Sequence, residues 1–182
     1  MIGILVLGLL FWVAAHFFKR LAPERRASMG DAGKGVVAVG VLLGLGLMIW
    51  GYRGAEFIPV WYPPSFMVHI NNLLMLIAVF LYGMSATTGR LRGKMRHPQL
   101  TAVVVFAIAH LLVNGDLAAI ILFGGLLLWA VAEMIVINRS EVWVRPEPGA
   151  AKKDILLIII TLVMYAIITA IHAWLGVWPF PG

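Results

Sequence analysis

No cysteine occurs anywhere in the 182 residues. Disulfides, zinc–thiolate centres, iron–sulfur clusters and cysteine nucleophiles are therefore excluded. Charge is scarce as well: acidic and basic side chains make up 12% of the chain, about half the usual share of a soluble domain. What charge there is leans one way, with 14 lysines and arginines against 8 acidic residues and a formal net charge of +6. No soluble segment interleaves a basic stripe with aromatics, so the excess does not point to nucleic acid. In so apolar a chain it marks the loops that set orientation in a membrane.

What is abundant is hydrocarbon. The chain is 62% hydrophobic, with a mean hydropathy of +0.98. Several apolar runs approach or exceed the roughly 18 residues that a bilayer core demands. The pattern predicts an all-α integral membrane protein, a bundle of about six transmembrane helices in a single domain. The runs are Ile2 to Phe18, about Gly35 to Gly51, Phe66 to Met84, Pro98 to Asn114, a fifth ending near Ile137, and Asp154 to Trp174. Pro98 suits a first helical position, and Asn114-Gly115-Asp116 is a tight-turn signal between the fourth and fifth. The first run lacks the positive leading region of a secretory signal, since its basic residues follow it.

Loop charge alternates. Lys19, Arg20, Arg25, Arg26 and Lys34 lie in the first loop, Arg90, Arg92, Lys94 and Arg96 in the third, and Arg139, Arg145, Lys152 and Lys153 in the fifth. Arg53 stands alone in the second, and the fourth has no basic residue. The positive-inside rule then places the odd loops in the cytoplasm and both termini on the outer side. Trp61, Tyr62, Trp174 and Trp178 fall at the expected outer boundary, where aromatic side chains anchor.

Within hydrocarbon an ionisable side chain is costly and marks a functional candidate. The candidates are His16, His69, His110, Glu133 and His172, with His97, Asn72, Asn114 and Asp116 nearer the edges. His110 lies roughly 18 Å deeper along its helix than His97, and Asn114 shares its face. More ordinary roles compete with each. His172 reads as interfacial, His69 and Asn72 as a hydrogen-bonded bridge between helices, and Glu133 as a side chain that snorkels towards an arginine. Gly8, Gly40 and Gly44 read as points of close helix packing, with a glycine-lined slot for a flat macrocycle as the sharper alternative. Two histidines on different helices suffice to ligate one iron porphyrin.

The segment Arg96-His97-Pro98-Gln99-Leu100, continuing into Ala109-His110-Leu111-Leu112-Val113-Asn114-Gly115-Asp116, resembles the NnrU family. Leu5 to Phe11 running into His16, the Leu21-Ala22-Pro23 stretch with Arg25 and Arg26, and Ile49-Trp50-Gly51-Tyr52 extend the likeness over roughly residues 1–140. Members are bacterial inner-membrane proteins linked to denitrification and nitric oxide metabolism. They are similar to the plastid zeta-carotene isomerase, a haem b membrane protein that isomerises a cis double bond in a carotenoid precursor. The resemblance implies haem b here, with His16 and His110 at the axial-ligand positions. His69 and His97 also match histidines of the isomerase and stand as alternative ligands or supporting groups, with Asn114 beside His110. Depth along the helices leaves the pairing open, since His16 with His97, or His110 with His69, lie at more similar levels. The isomerase carries a cysteine three residues before its second ligand; Ala107 stands there in this chain, which excludes a thiolate switch.

Three functions follow as expectations: a haem-binding redox or isomerase-like protein acting on a lipidic polyene or on nitric oxide, a non-catalytic assembly partner of a reductase, and a membrane methyltransferase. The last rests on Arg96-His97-Pro98, which also resembles the start of the isoprenylcysteine methyltransferase motif. Ala132-Glu133-Met134-Ile135 offers one glutamate where those enzymes have a pair.

Overall fold

The computed structural model describes residues 1–181, and every regular element in them is helical. In chain order these are α1 (Ile2–Leu21), α2 (Pro23–Ser28), α3 (Ala32–Arg53), α4 (Met67–Ala86), a 3₁₀ turn (Leu91–Lys94), α5 (Pro98–Leu111), α6 (Leu117–Ser140) and α7 (Ala151–Trp174). Five of them, α1, α3, α4, α6 and α7, are long and apolar enough to cross a membrane. A backbone that satisfies its own hydrogen bonds is what a hydrocarbon solvent requires. Large apolar side chains turned outward, such as Leu42, Leu128 and Leu162 at 66%, 73% and 55% exposure, are the lipid-facing surface of such a protein. The chain is a multi-pass helical membrane protein.

The fourth expected crossing is shorter than anticipated. α5 stops at Leu111, not Asn114, and its 14 residues cover about 21 Å. The other spans are longer than their apolar cores by a turn or less, because flanking residues such as Lys19, Arg20 and Arg53 continue the helical hydrogen bonding. The chain forms two units: residues 1–61 with 115–129, and residues 62–114 with the chain from Ala130 onward.

In the first unit α1 lies against α3. Glycines permit the approach: a Cβ on Gly44 would lie 2.8 Å from the Trp12 nitrogen and 3.0 Å from the Gly8 oxygen. A Cβ on Gly8 would meet the Met48 nitrogen at 2.6 Å, and one on Gly51 would collide with the Leu5 backbone. In lipid, helices associate through such close van der Waals contact, because hydrocarbon solvent offers little hydrophobic drive. Gly8 and Gly44, and more loosely Gly40 against Ala15, are thus packing points, and α1 fills the space that a macrocycle would need there. Leu5, Leu9, Met48 and Ala118 form the core beside them. Asp116 caps α6 by accepting the Ala119 N–H at 3.0 Å. The Gly115 carbonyl accepts the Val60 and Trp61 N–H groups at 2.8 and 3.1 Å, tying the turn before α6 to the segment after α3.

In the second unit α4 packs against both α5 and α7. Leu157 of α7 is fully buried, and Gly83 of α4 gives it room. Two polar staples cross between helices: Asn71 Nδ2 donates to the Ala109 carbonyl at 2.9 Å, and the Tyr165 hydroxyl donates to the Asn72 carbonyl at 3.3 Å. At the other end of α4, Asp154 in the first turn of α7 accepts Arg90 Nε at 2.9 Å and the Leu91 N–H at 3.2 Å. A carboxylate there also suits the positive end of the helix dipole.

Candidate functional site

Each unit carries part of the histidine set. In the first unit α1 presents His16, whose Nδ1 lies 2.8 Å from the Trp12 carbonyl one turn earlier. An N–H at Nδ1 donates to that oxygen, which leaves Nε2 with its lone pair free to bind a metal. Two indoles enclose the ring. Trp12 and Trp129 stand with centroids 4.4 and 4.6 Å from His16 and meet each other edge to face at 5.3 Å. Trp129 is only 6% exposed. Both indole nitrogens are buried with no protein acceptor, and in an apolar setting such donors seek one.

The periodicity of α1 did not disclose this enclosure, since Trp12 and Trp129 are 117 residues apart and neither is polar enough to draw notice. The one signal available was the spacing of Trp12 and His16, one turn apart on a helix face.

In the second unit His110 occupies the last turn of α5, and its Nδ1 lies 3.0 Å from the Phe106 carbonyl. The Phe106 ring stands 4.3 Å away by centroids. The local fold explains why this histidine is held firmly. The last carbonyls of a helix lack partners within it. Here Asn71 takes the Ala109 oxygen, and the Asn114 side chain and backbone N–H take the His110 oxygen at 2.8 and 2.9 Å. Asn114, a site candidate from its face alone, is a cap for the turn that carries His110. Asn71, whose neighbour Asn72 drew the sequence-based expectation, makes the side-chain bridge instead.

The remaining candidates have distinct settings. His97 Nε2 is 2.8 Å from Asn138 Oδ1, and Arg96 Nη2 donates to the Ile137 and Glu141 carbonyls at 3.3 and 2.7 Å. Together they clasp the C-terminal end of α6. His69 is exposed near the start of α4. His172 repeats the Nδ1 arrangement with the Ile168 carbonyl at 2.8 Å, late in α7. Glu133 does not snorkel: at 6% exposure its side chain is enclosed by protein. Tyr62 and Trp174, at 81% and 83% exposure, and Trp178 at 64%, present the open surface expected of interfacial anchors.

The chemistry of the donors bears on haem. Among the described residues no cluster of three or more His, Cys, Asp or Glu side chains could hold a bare metal ion. A porphyrin supplies four of the iron's donors itself and asks the protein for one or two, which histidines on separate helices can give. His16 and His110 are of the donor type that demand calls for, each with Nδ1 held by a carbonyl of its own helix.

Comparison with known proteins agrees with this membrane architecture. No curated protein and no solved structure matches the chain. The NnrU protein family model matches residues 4–179, so the likeness takes in the final helix as well, and the chain belongs to that family.

Proposed function

We propose that this protein is a haem-binding inner-membrane protein whose haem b would be held by histidine, with His16 and His110 as the candidate ligands. It would serve nitric oxide metabolism during denitrification or isomerase-like chemistry on a lipidic polyene. The observation that carries the reading is that His16 and His110, the two positions the family resemblance implies as ligands, each commit Nδ1–H to a backbone carbonyl one turn back, as His172 also does. That hydrogen bond fixes the tautomer, orients the ring and raises the basicity of the other ring nitrogen, the usual outer-shell support of a metal-bound imidazole. Membership of the NnrU family supports the link to nitric oxide.

Haem held by histidine would supply one-electron redox chemistry or a Lewis-acidic iron. The chain's own residues do the rest. Trp12 and Trp129 exclude water from the His16 ring and offer two buried N–H donors beside it. Asn71 and Asn114 hold the α5 terminus so that His110 keeps its orientation. Basic residues gathered in the first, third and fifth loops support a cytoplasmic position for those loops and an outer position for both termini.

The test is haem titration of detergent-purified protein with His16→Gly and His110→Gly, each with and without added imidazole. Loss of haem affinity in both variants, restored by imidazole, identifies ligands, because free imidazole can replace a missing donor but not a missing packing contact. Full retention of haem in both variants would remove these residues as ligands. Full retention of haem with only one lost would leave the other as the sole protein donor.

A further inference from the structure

We propose that the seam between α4 and α7 binds one anionic phospholipid, with its phosphate at Arg90 and Lys94 and an acyl chain in the groove beyond. The seam carries two adjoining features of opposite character. Where the chain leaves α4 and enters α7, a cavity of about 430 Å³ is lined by Arg90, Leu91, Lys94, Pro148 and Asp154. Further along the same two helices lies a groove of about 250 Å³, lined by Leu76, Ile77, Phe80, Ile158, Thr161 and Leu162. The one hydroxyl among them is spent, since Thr161 Oγ1 donates to the Leu157 carbonyl at 2.8 Å. The groove therefore offers only hydrocarbon.

Spacing and charge select the ligand. Asp154 and Ile158 are one helical turn apart, about 6 Å, and Leu162 is a further turn along. A cationic recess followed within a turn or two by an apolar groove is the order of parts in a phospholipid. Asp154 neutralises Arg90 through the contact at Nε and leaves the outer N–H groups of the guanidinium free to donate. Lys94 then supplies the surplus positive charge, matching the single negative charge of a phosphodiester. A zwitterionic headgroup would bring its own cation against these side chains.

The recess is built before any ligand arrives. The Gly149 N–H donates to the Gly89 carbonyl at 3.3 Å, joining the loop after α4 to the loop before α7. Gly93 presses against the Pro146 carbonyl so closely that a Cβ would lie 2.7 Å from it. Both loops belong to the basic set, and anionic lipid headgroups are found against basic pockets on the cytoplasmic side.

Native mass spectrometry of the full chain, released from micelles containing equal dioleoyl phosphatidylglycerol and dioleoyl phosphatidylcholine, tests the proposal. Phosphatidylglycerol should be retained roughly tenfold over phosphatidylcholine, and K94Q should weaken its retention about fivefold. Ile158→Trp, which fills the groove while leaving the recess intact, should also reduce retention, and millimolar inorganic phosphate should not displace the lipid. Equal retention of the two lipids would overturn the proposal, as would wild-type retention in K94Q. Displacement by inorganic phosphate would make the recess a site for the free anion instead.

Discussion

Glycine-to-alanine substitution along α3 separates packing from propensity with a single methyl group. At Gly46 an added Cβ meets nothing within 4 Å. Alanine there should be neutral or stabilising by up to about 1 kcal/mol, through helix propensity alone. At Gly40 the only neighbour is the Ala15 methyl at 3.1 Å, which can give by a few tenths of an ångström. At Gly44 the new carbon would sit 2.8 Å from the Trp12 nitrogen and 3.2 Å from its Cα, both backbone atoms that no rotamer change can move. Ordinary contact begins near 3.4 Å, so α1 would have to retreat by more than half an ångström beside Trp12. Overpacking of this kind costs about 1–3 kcal/mol. Gly44→Ala should therefore fall below Gly46→Ala by about 2 kcal/mol, with Gly40→Ala between them. Reversible unfolding in mixed dodecylmaltoside–dodecyl sulfate micelles, followed by circular dichroism, measures the series. Equal stability of the Gly44 and Gly46 variants would refute the close α1–α3 approach. Trp12 also supplies the carbonyl that holds His16, so Gly44→Ala should loosen haem binding and Gly46→Ala should not.

Other substitutions test the staples and caps. Asn71→Leu keeps the branching at Cγ but leaves the Ala109 carbonyl without its donor, and should cost about 0.6–1.7 kcal/mol or more in the same unfolding assay. The loss should appear as faster amide exchange in the last turn of α5. Asp116→Ala removes the N-cap of α6 and should cost about 1 kcal/mol, while Asp116→Asn should recover most of it. Leu157→Ala empties a fully buried position and should cost about 2–5 kcal/mol, whereas Ile158→Ala, on the exposed side of the same turn, should cost far less.

The helices that cross the membrane were legible because their apolar runs are long and their loop charges alternate, and both are local properties of the sequence. The ends were less so. α5 carries an apolar pattern through Val113, yet it terminates at Leu111 because two asparagines, one of them from α4, satisfy its last carbonyls. No local signal marks a partner 38 residues away. Gly8 and Gly44 could be read as packing points from residue type alone, whereas the tighter contact at Gly51 needed the geometry. His16 and His110 stood out as ionisable groups in hydrocarbon. Their shared Nδ1 lock and the enclosure of His16 by Trp12 and Trp129 depend on rotamers and on the approach of α6 to α1, which periodicity does not encode. Glu133 shows the reverse: its place near the basic loops suggested a side chain that snorkels, and tertiary packing buried it instead.

The central claim, that His16 and His110 hold haem, is tested most directly by the visible absorption spectrum of the purified protein. It should be recorded oxidised and reduced after haem supplementation, beside His16→Ala and His110→Ala. A Soret band with sharp α and β bands on reduction, lost or shifted in both variants, is the predicted result. A well-folded protein with no Soret band, or a spectrum unchanged in both variants, would contradict it.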